Sequence, residues 1–211
     1  FGGGSGVRRG RVSVLGGGVA GLCAARVAAG MGADVTVFDV DVARMRYIDE
    51  VWGGRIGTRF SSPLAVREAC GESDVVIGSV LVPGARTPHL VDHEMVLGMV
   101  PGSVLVDVAV DQGGCFEDSH PTTHADPTFV VGGSVFYCVA NMPGAVPHTS
   151  TYALTNATMR YVLLLADEGW RGACGSRDDL RRGLATCGGK LVSAPVGEAL
   201  GIECVPVSEV L

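Results

Sequence analysis

Lysine is almost missing from this sequence: Lys190 is the only one, and every other basic side chain of fixed charge is an arginine. Basic residues number 16 against 22 acidic ones, for a net charge of −6. Nucleic-acid partners need clustered Lys and Arg, so none is expected. Also missing is any apolar run long enough to span a bilayer. The start, Phe1 to Gly10, is rich in Gly and Arg but lacks the apolar stretch of a signal peptide. No membrane partner is expected either. There is no initiating Met, from which we expect the chain to start inside a longer protein. No C-x-x-C pair occurs among the seven cysteines. Their odd count and scatter favour reduced, mostly buried thiols in a cytoplasmic protein, without disulfides or a metal site.

What is present is an α/β pattern. Hydrophobic residues make up 47% of the chain, charged residues 18%, and glycine occurs 32 times. Val12 to Leu15 reads as a short strand, followed by a glycine turn and a helix from Val19 to about Ala29. Strands are predicted at Asp34–Asp39, Ile56–Phe60, Asp74–Val80, Ser103–Val110 and Val135–Val139, with helices at 42–51, 63–70 and 92–99 between them. The apolar runs DVVIGSV and SVLVDVAV suit strands covered on both faces. Such alternation predicts an open, doubly wound parallel sheet of Rossmann type. From Ser150 to Gly169 apolar residues recur at helical spacing, which predicts a long helix closed by Gly169.

The segment VSVLGGGVAGLCAAR fits G-x-G-x-x-G through Gly16, Gly18 and Gly21. Gly16 makes the tight turn out of the strand, Gly18 lets a pyrophosphate approach the backbone, and Gly21 permits close helix packing. The pyrophosphate would sit at the positive end of the helix. Asp39 stands 18 residues after Gly21, at the end of the second strand, where a carboxylate accepts from ribose hydroxyls. It would repel the extra phosphate of NADP, so NAD is favoured. Arg44 is either a partner that donates to such a phosphate or a solvated helix residue.

Several long strings resemble the alanine dehydrogenase family. They are VIGSVLVPGARTPHLV (Val76 to Val91), VLVDVAVDQGGCFEDSHPTTHADPTF (Val104 to Phe129) and VFYCVANMPGAVPHTSTYALTNAT (Val135 to Thr158). With the glycine fingerprint, the resemblance runs from Val12 to about Gly201. The related transhydrogenase NAD-binding component shares the fingerprint but is less similar through DQGGCFE and NMPGAVPHTSTYALTN. The resemblance implies reversible oxidation of L-alanine to pyruvate and ammonium with NAD+, through an imino acid that water attacks. It places Asp39 and Arg44 at the adenosine ribose and Ser61 near the adenine. Val80 and Leu81 would lie along the cofactor, Val108 near its nicotinamide end, and Asn141 and Met142 beside the nicotinamide. Asp111 matches the family's catalytic aspartate.

Position agrees with that assignment, because Asp111 directly follows a predicted parallel strand, on the rim where open α/β sheets bind ligands. A turn-forming Asp before Gly113 and Gly114 is the plainer reading of the same residue. Cys115 is taken as packing, since hydride transfer needs no covalent nucleophile. His89, His93, His120, His124 and His148 read as surface or helix-start residues.

The family binds substrate with an arginine, a lysine and a histidine from an N-terminal domain, and nothing in this chain matches that domain. We therefore expect residues 8–147 to form an NAD(H)-binding Rossmann domain. Residues 148–211 are expected to be the C-terminal, helical segment of an incomplete substrate domain, with Tyr152, Leu163 and Trp170 as an exposed patch or an oligomer contact. Alone, such a chain is expected to be inactive or nearly so. The intact family forms homohexamers. A non-catalytic NAD(H)-binding module and a transhydrogenase-type component are the competing readings.

Overall fold

A computed structural model describes residues 1–82 and 87–211. Its first part alternates strands and helices: β1 (Arg11–Leu15), α1 (Val19–Gly30), β2 (Asp34–Asp39), α2 (Val42–Trp52), β3 (Gly57–Phe60) and α3 (Pro63–Glu72). Then come β4 (Val75–Gly78), α4 (His93–Leu97), β5 (Val104–Asp107), β6 (Thr128–Val131) and β7 (Ser134–Tyr137). The chain divides into two compact units, one of Phe1–Leu81 with Thr87–Met142, the other built on Pro143–Leu211.

In the first unit seven strands form one sheet in the order β3-β2-β1-β4-β5-β7-β6. All neighbours are parallel except β6 and β7, which pair antiparallel at the edge. Central β1 sets Leu15 opposite both Phe38 of β2 and Gly78 of β4. The chain winds outward through β2 and β3, then returns to lay β4 on the other side of β1. This is an α/β, doubly wound sheet of Rossmann type, and the reversal between β1 and β4 is its topological switch point.

Both faces are covered, as the apolar runs predict. Val12, Val14, Val35 and Val37 pack with Ala25 and Ala28 of α1 and Ile48 of α2. Leu15, Phe38, Val76, Leu105 and Phe136 pack with Val66 and Cys70 of α3 and Met95 and Val96 of α4. Alternation along one strand accounts for the split, with Val12 and Val14 on one face and Leu15 on the other.

Helix starts differ in a way that matters below. The Asp41 carboxylate accepts from the Ala43 and Arg44 amides at the start of α2. Ser62 accepts from the Ala65 amide ahead of α3, and Asp92 from the Met95 amide ahead of α4. Helix α1 instead begins on Gly18, with no side-chain cap and no acidic residue in its first turn.

Several details depart from the sequence reading: β7 is Ser134–Tyr137 rather than Val135–Val139, and a hairpin of Thr186–Cys187 with Lys190–Leu191 stands where only a short helix and a polar tail are expected. β4 is Val75–Gly78 rather than Asp74–Val80, and the Ser79 amide makes the last bond to β1, at the Leu15 carbonyl. β5 ends at Asp107 rather than Val110, because the Asp107 carboxylate captures the Ala109 amide and turns the chain. β6 was not predicted at all, although Gly132 (φ 58°) and Gly133 (φ 90°) supply the two left-handed residues of a tight hairpin. The long helix α5 (Pro147–Ser176) starts before Ser150; its helical geometry breaks at Gly169 (φ 68°, ψ 166°), as expected, and a second helical stretch follows to Ser176.

The second unit continues through α6 (Asp178–Gly183), a small hairpin of β8 (Thr186–Cys187) and β9 (Lys190–Leu191), and α7 (Ala194–Leu200). Tyr152 and Leu163 on α5 are exposed and Trp170 is half-buried. No helix among the described residues is long and apolar enough to cross a membrane.

Candidate functional site

The predicted site residues gather on one rim of the sheet, at the C-terminal ends of β1, β2, β4, β5 and β7. Gly16 leaves β1 at φ 99°, a left-handed conformation, and donates its amide to the Phe38 carbonyl at 2.8 Å. A Cβ there would stand 3.0 Å from Cγ2 and the amide of Val80. Val80 is half-buried and Leu81 exposed. The glycine turn therefore closes on the strand across the switch point. A Cβ on Gly18 would meet nothing within 4 Å, so the uncapped start of α1 faces open space. A Cβ on Gly21 would run into the Gly16 carbonyl oxygen and Ser79 Oγ. Close packing at Gly21 is thus against the turn itself.

Asp39 is half-buried at the end of β2. Its Oδ2 accepts from the Gly17 amide at 2.6 Å and its Oδ1 from the Asp41 amide at 2.9 Å. The carboxylate thereby sits directly beside the glycine turn. The Arg44 side chain runs alongside, its Cγ 3.2 Å from where a Gly17 Cβ would be and its guanidinium 5.9 Å from the Tyr47 ring centroid. The Ser61 amide donates to the Asp39 carbonyl at 2.9 Å, which joins the β3 end to the same corner.

On the other side of the switch point, Val108 follows β5 and is 38% exposed, with its amide on the Gly78 carbonyl at 2.8 Å. Asp111 is exposed, in a 3-10 turn spanning Val110–Gln112, rather than directly after the strand. Asn141 is exposed at φ 54°, the single non-glycine residue of positive φ among the described residues, and Met142 beside it is half-buried. Strained backbone of this kind collects at ligand clamps. The middle of VIGSVLVPGARTPHLV, residues 83–86, lies outside the described residues.

Sequence reasoning missed four participants. Ser79 is buried and donates to the carbonyls of Leu15 and Gly16 across the switch point, a polar residue within the apolar DVVIGSV run. Asp107 is fully buried beneath the Asp111 loop, and Ser119 donates to its carboxylate. His124 places Nε2 3.2 Å from the Asn141 carbonyl, a contact with no local sequence signal. All five histidines are exposed, and His93 opens α4. Burial, with the Asp107 charge second, pushes the Cys115 thiol up to about 12, so it is not a thiolate at neutral pH. Cys70 is likewise pushed up to about 12, chiefly by burial.

The chain matches the family described as alanine dehydrogenase/PNT, C-terminal domain, over residues 1–194. It belongs to that family. A similar curated relative is alanine dehydrogenase of Mycolicibacterium smegmatis, 57% identical over all of this chain and 57% of its own length. Alanine dehydrogenase of Halomonas elongata is 54% identical over 98% of the chain and 56% of its own. Among solved structures, an L-alanine dehydrogenase aligns at TM-score 0.85 and 47% identity, covering 95% of this chain and 55% of that one. A transhydrogenase from Sinorhizobium meliloti aligns at TM-score 0.58 and 31% identity, covering 66% and 41%. This alanine dehydrogenase/PNT chain thus spans a little over half the length of the curated relatives named.

Proposed function

We propose that this chain is the NAD(H)-binding portion of an alanine dehydrogenase, with residues 8–147 as the cofactor domain and 148–211 as part of the substrate domain. The observation that carries the cofactor is the Asp39 carboxylate at 2.6 Å from the Gly17 amide, beside open space at Gly18 and an uncapped helix start. Bare helix N–H groups hold a pyrophosphate, and the carboxylate takes ribose hydroxyls while repelling a 2′-phosphate. That favours NAD over NADP. Alanine dehydrogenase is preferred to a transhydrogenase component because its relatives align over the whole chain at higher identity.

The overall reaction converts L-alanine, NAD+ and water to pyruvate, ammonium, NADH and a proton. When bound, the nicotinamide ring supplies the hydride acceptor. Val108, Asn141 and Met142 line its place on the rim, and Val80 and Leu81 border the path of the cofactor. Asp111, exposed in its turn, holds and orients the water that attacks the imino acid, by hydrogen bonding and charge. A cytoplasmic location and homo-oligomeric assembly belong to the same reading.

Titration with NADH should give a saturable fluorescence change, whose absence would sink the cofactor assignment. With NAD+ and L-alanine the chain alone should form little NADH, because none of these site residues is a lysine. Robust turnover would show instead that every essential group is present. Binding without turnover in the longest natural form would favour a non-catalytic NAD(H) module.

Asp39→Ala should weaken NADH binding by about tenfold or more, ~1.4 kcal/mol. Calorimetry of the variant checks this, and preserved affinity would refute the ribose assignment.

A further inference from the structure

Asp107 is fully buried at the end of β5, and no ion pair reaches it among the described residues. Burying a carboxylate without compensation is costly, so its partners have to be strong. Among the described residues they all come from the loop that follows. Oδ1 accepts from the Ala109 amide at 3.0 Å. Oδ2 accepts from the Cys115 amide at 2.8 Å, the Phe116 amide at 3.4 Å and the Ser119 hydroxyl at 2.6 Å. Between the two bonded ends stands the 3-10 turn with Asp111 on it.

One glycine of the loop packs against the same carboxylate. Gly114 has φ 79°, and a Cβ there would come 2.8 Å from Asp107 Oδ2 and 3.0 Å from Ser119 Cβ. From the neighbouring strand, a Cβ on Gly78 would stand 2.6 Å from Cys115 Cβ. The loop is thus seated on β4 and tied back to β5 through one side chain. The adenosine end, built on Gly16, Gly18, Gly21 and Asp39, receives no hydrogen bond from Asp107.

We infer that Asp107 and Ser119 form a clasp that positions the Asp111 loop and with it the nicotinamide end of the site. This rests on the cofactor reading above. Asp107 touches no reacting atom; it is a positioning residue. Opening the clasp should therefore act on one half of the cofactor and spare the other, whereas a purely structural role would weaken both halves together.

Asp107→Asn keeps the shape but replaces one acceptor oxygen by a donor, and Ser119→Ala removes a single hydroxyl. Each is compared with the unaltered chain for binding of NADH and of ADP-ribose, which lacks the nicotinamide. Amide hydrogen exchange at Ala109, Cys115 and Phe116 reads the clasp without any ligand. We expect exchange at those amides to quicken, NADH affinity to fall by about tenfold and ADP-ribose affinity to stay within about twofold. Unchanged exchange and unchanged NADH affinity would overturn the proposal, as would equal loss of both ligands with a lower melting temperature. Should Asp107→Asn fail to fold, Ser119→Ala decides between these outcomes. If the unaltered chain binds neither ligand, the cofactor reading falls and the functional half of this inference with it. Exchange then still reports on the clasp.

Discussion

Gly21→Ala is expected to lower NADH affinity by about 100-fold, ~2.8 kcal/mol, the largest loss from any single methyl group in this chain. The added Cβ would occupy space held by the Gly16 carbonyl and Ser79 Oγ, which are fixed from several sides. Ser79 Oγ bonds the Leu15 and Gly16 carbonyls at 3.0 Å, and the Gly16 amide bonds Phe38 at 2.8 Å. Neither neighbour is the free end of a flexible side chain, so the turn must move away from the helix. Movement there displaces the amides that would face the pyrophosphate. Fluorescence titration measures the affinity and circular dichroism checks that the sheet persists. A folded variant with unchanged affinity would show that the turn is not the cofactor's seat. Gly18→Ala is the control for size alone, because its Cβ meets nothing within 4 Å of protein.

The largest loss of stability is expected at Phe136→Ala. This ring is fully buried on β7, edge-on to Phe116 at 6.1 Å between centroids and stacked on Phe129 at 5.0 Å. Removing it forfeits transfer energy and leaves a cavity between two rings held in place by other contacts, at a cost of about 3–5 kcal/mol. For a chain of this size that amounts to a drop of roughly 6–20 °C in melting temperature. Differential scanning calorimetry reads it directly. A shift within about 1 °C would mean that the three rings do not form a common core. Phe129 also stacks on the exposed His120, centroids 3.8 Å apart, so the cluster reaches from the sheet to its surface.

Much of this architecture was legible because it is written in local pattern. The glycine turn between an apolar strand and a helix locates the first βα unit, and the Asp41, Ser62 and Asp92 caps stand one residue before their helices. Strand ends were less legible. DVVIGSV and SVLVDVAV remain apolar beyond their last ladder pairs, so hydropathy alone cannot show where Ser79 or Asp107 turns the backbone away. At Asp107 the decision is made by hydrogen bonds of its carboxylate across 2 to 12 residues. A buried aspartate inside VLVDVAV carries a signal in its oddity, since a polar side chain in a covered strand needs partners. Resemblance pointed to Asp111; only the fold shows the carboxylate four residues earlier that holds its turn.

Asp39 carries a consequence for how this domain could change. Its two carboxylate oxygens are committed to the Gly17 and Asp41 amides, which hold the first turn against the second strand. In the proposed reading the same group selects the cofactor. Selectivity and loop integrity are then inherited together. A drift toward NADP that began by discarding this acid would first loosen the pyrophosphate loop, and the nearby Arg44 could not gain a phosphate partner from a turn that no longer held its shape. Any workable route would have to rebuild the Gly17 contact before, or along with, the loss of Asp39.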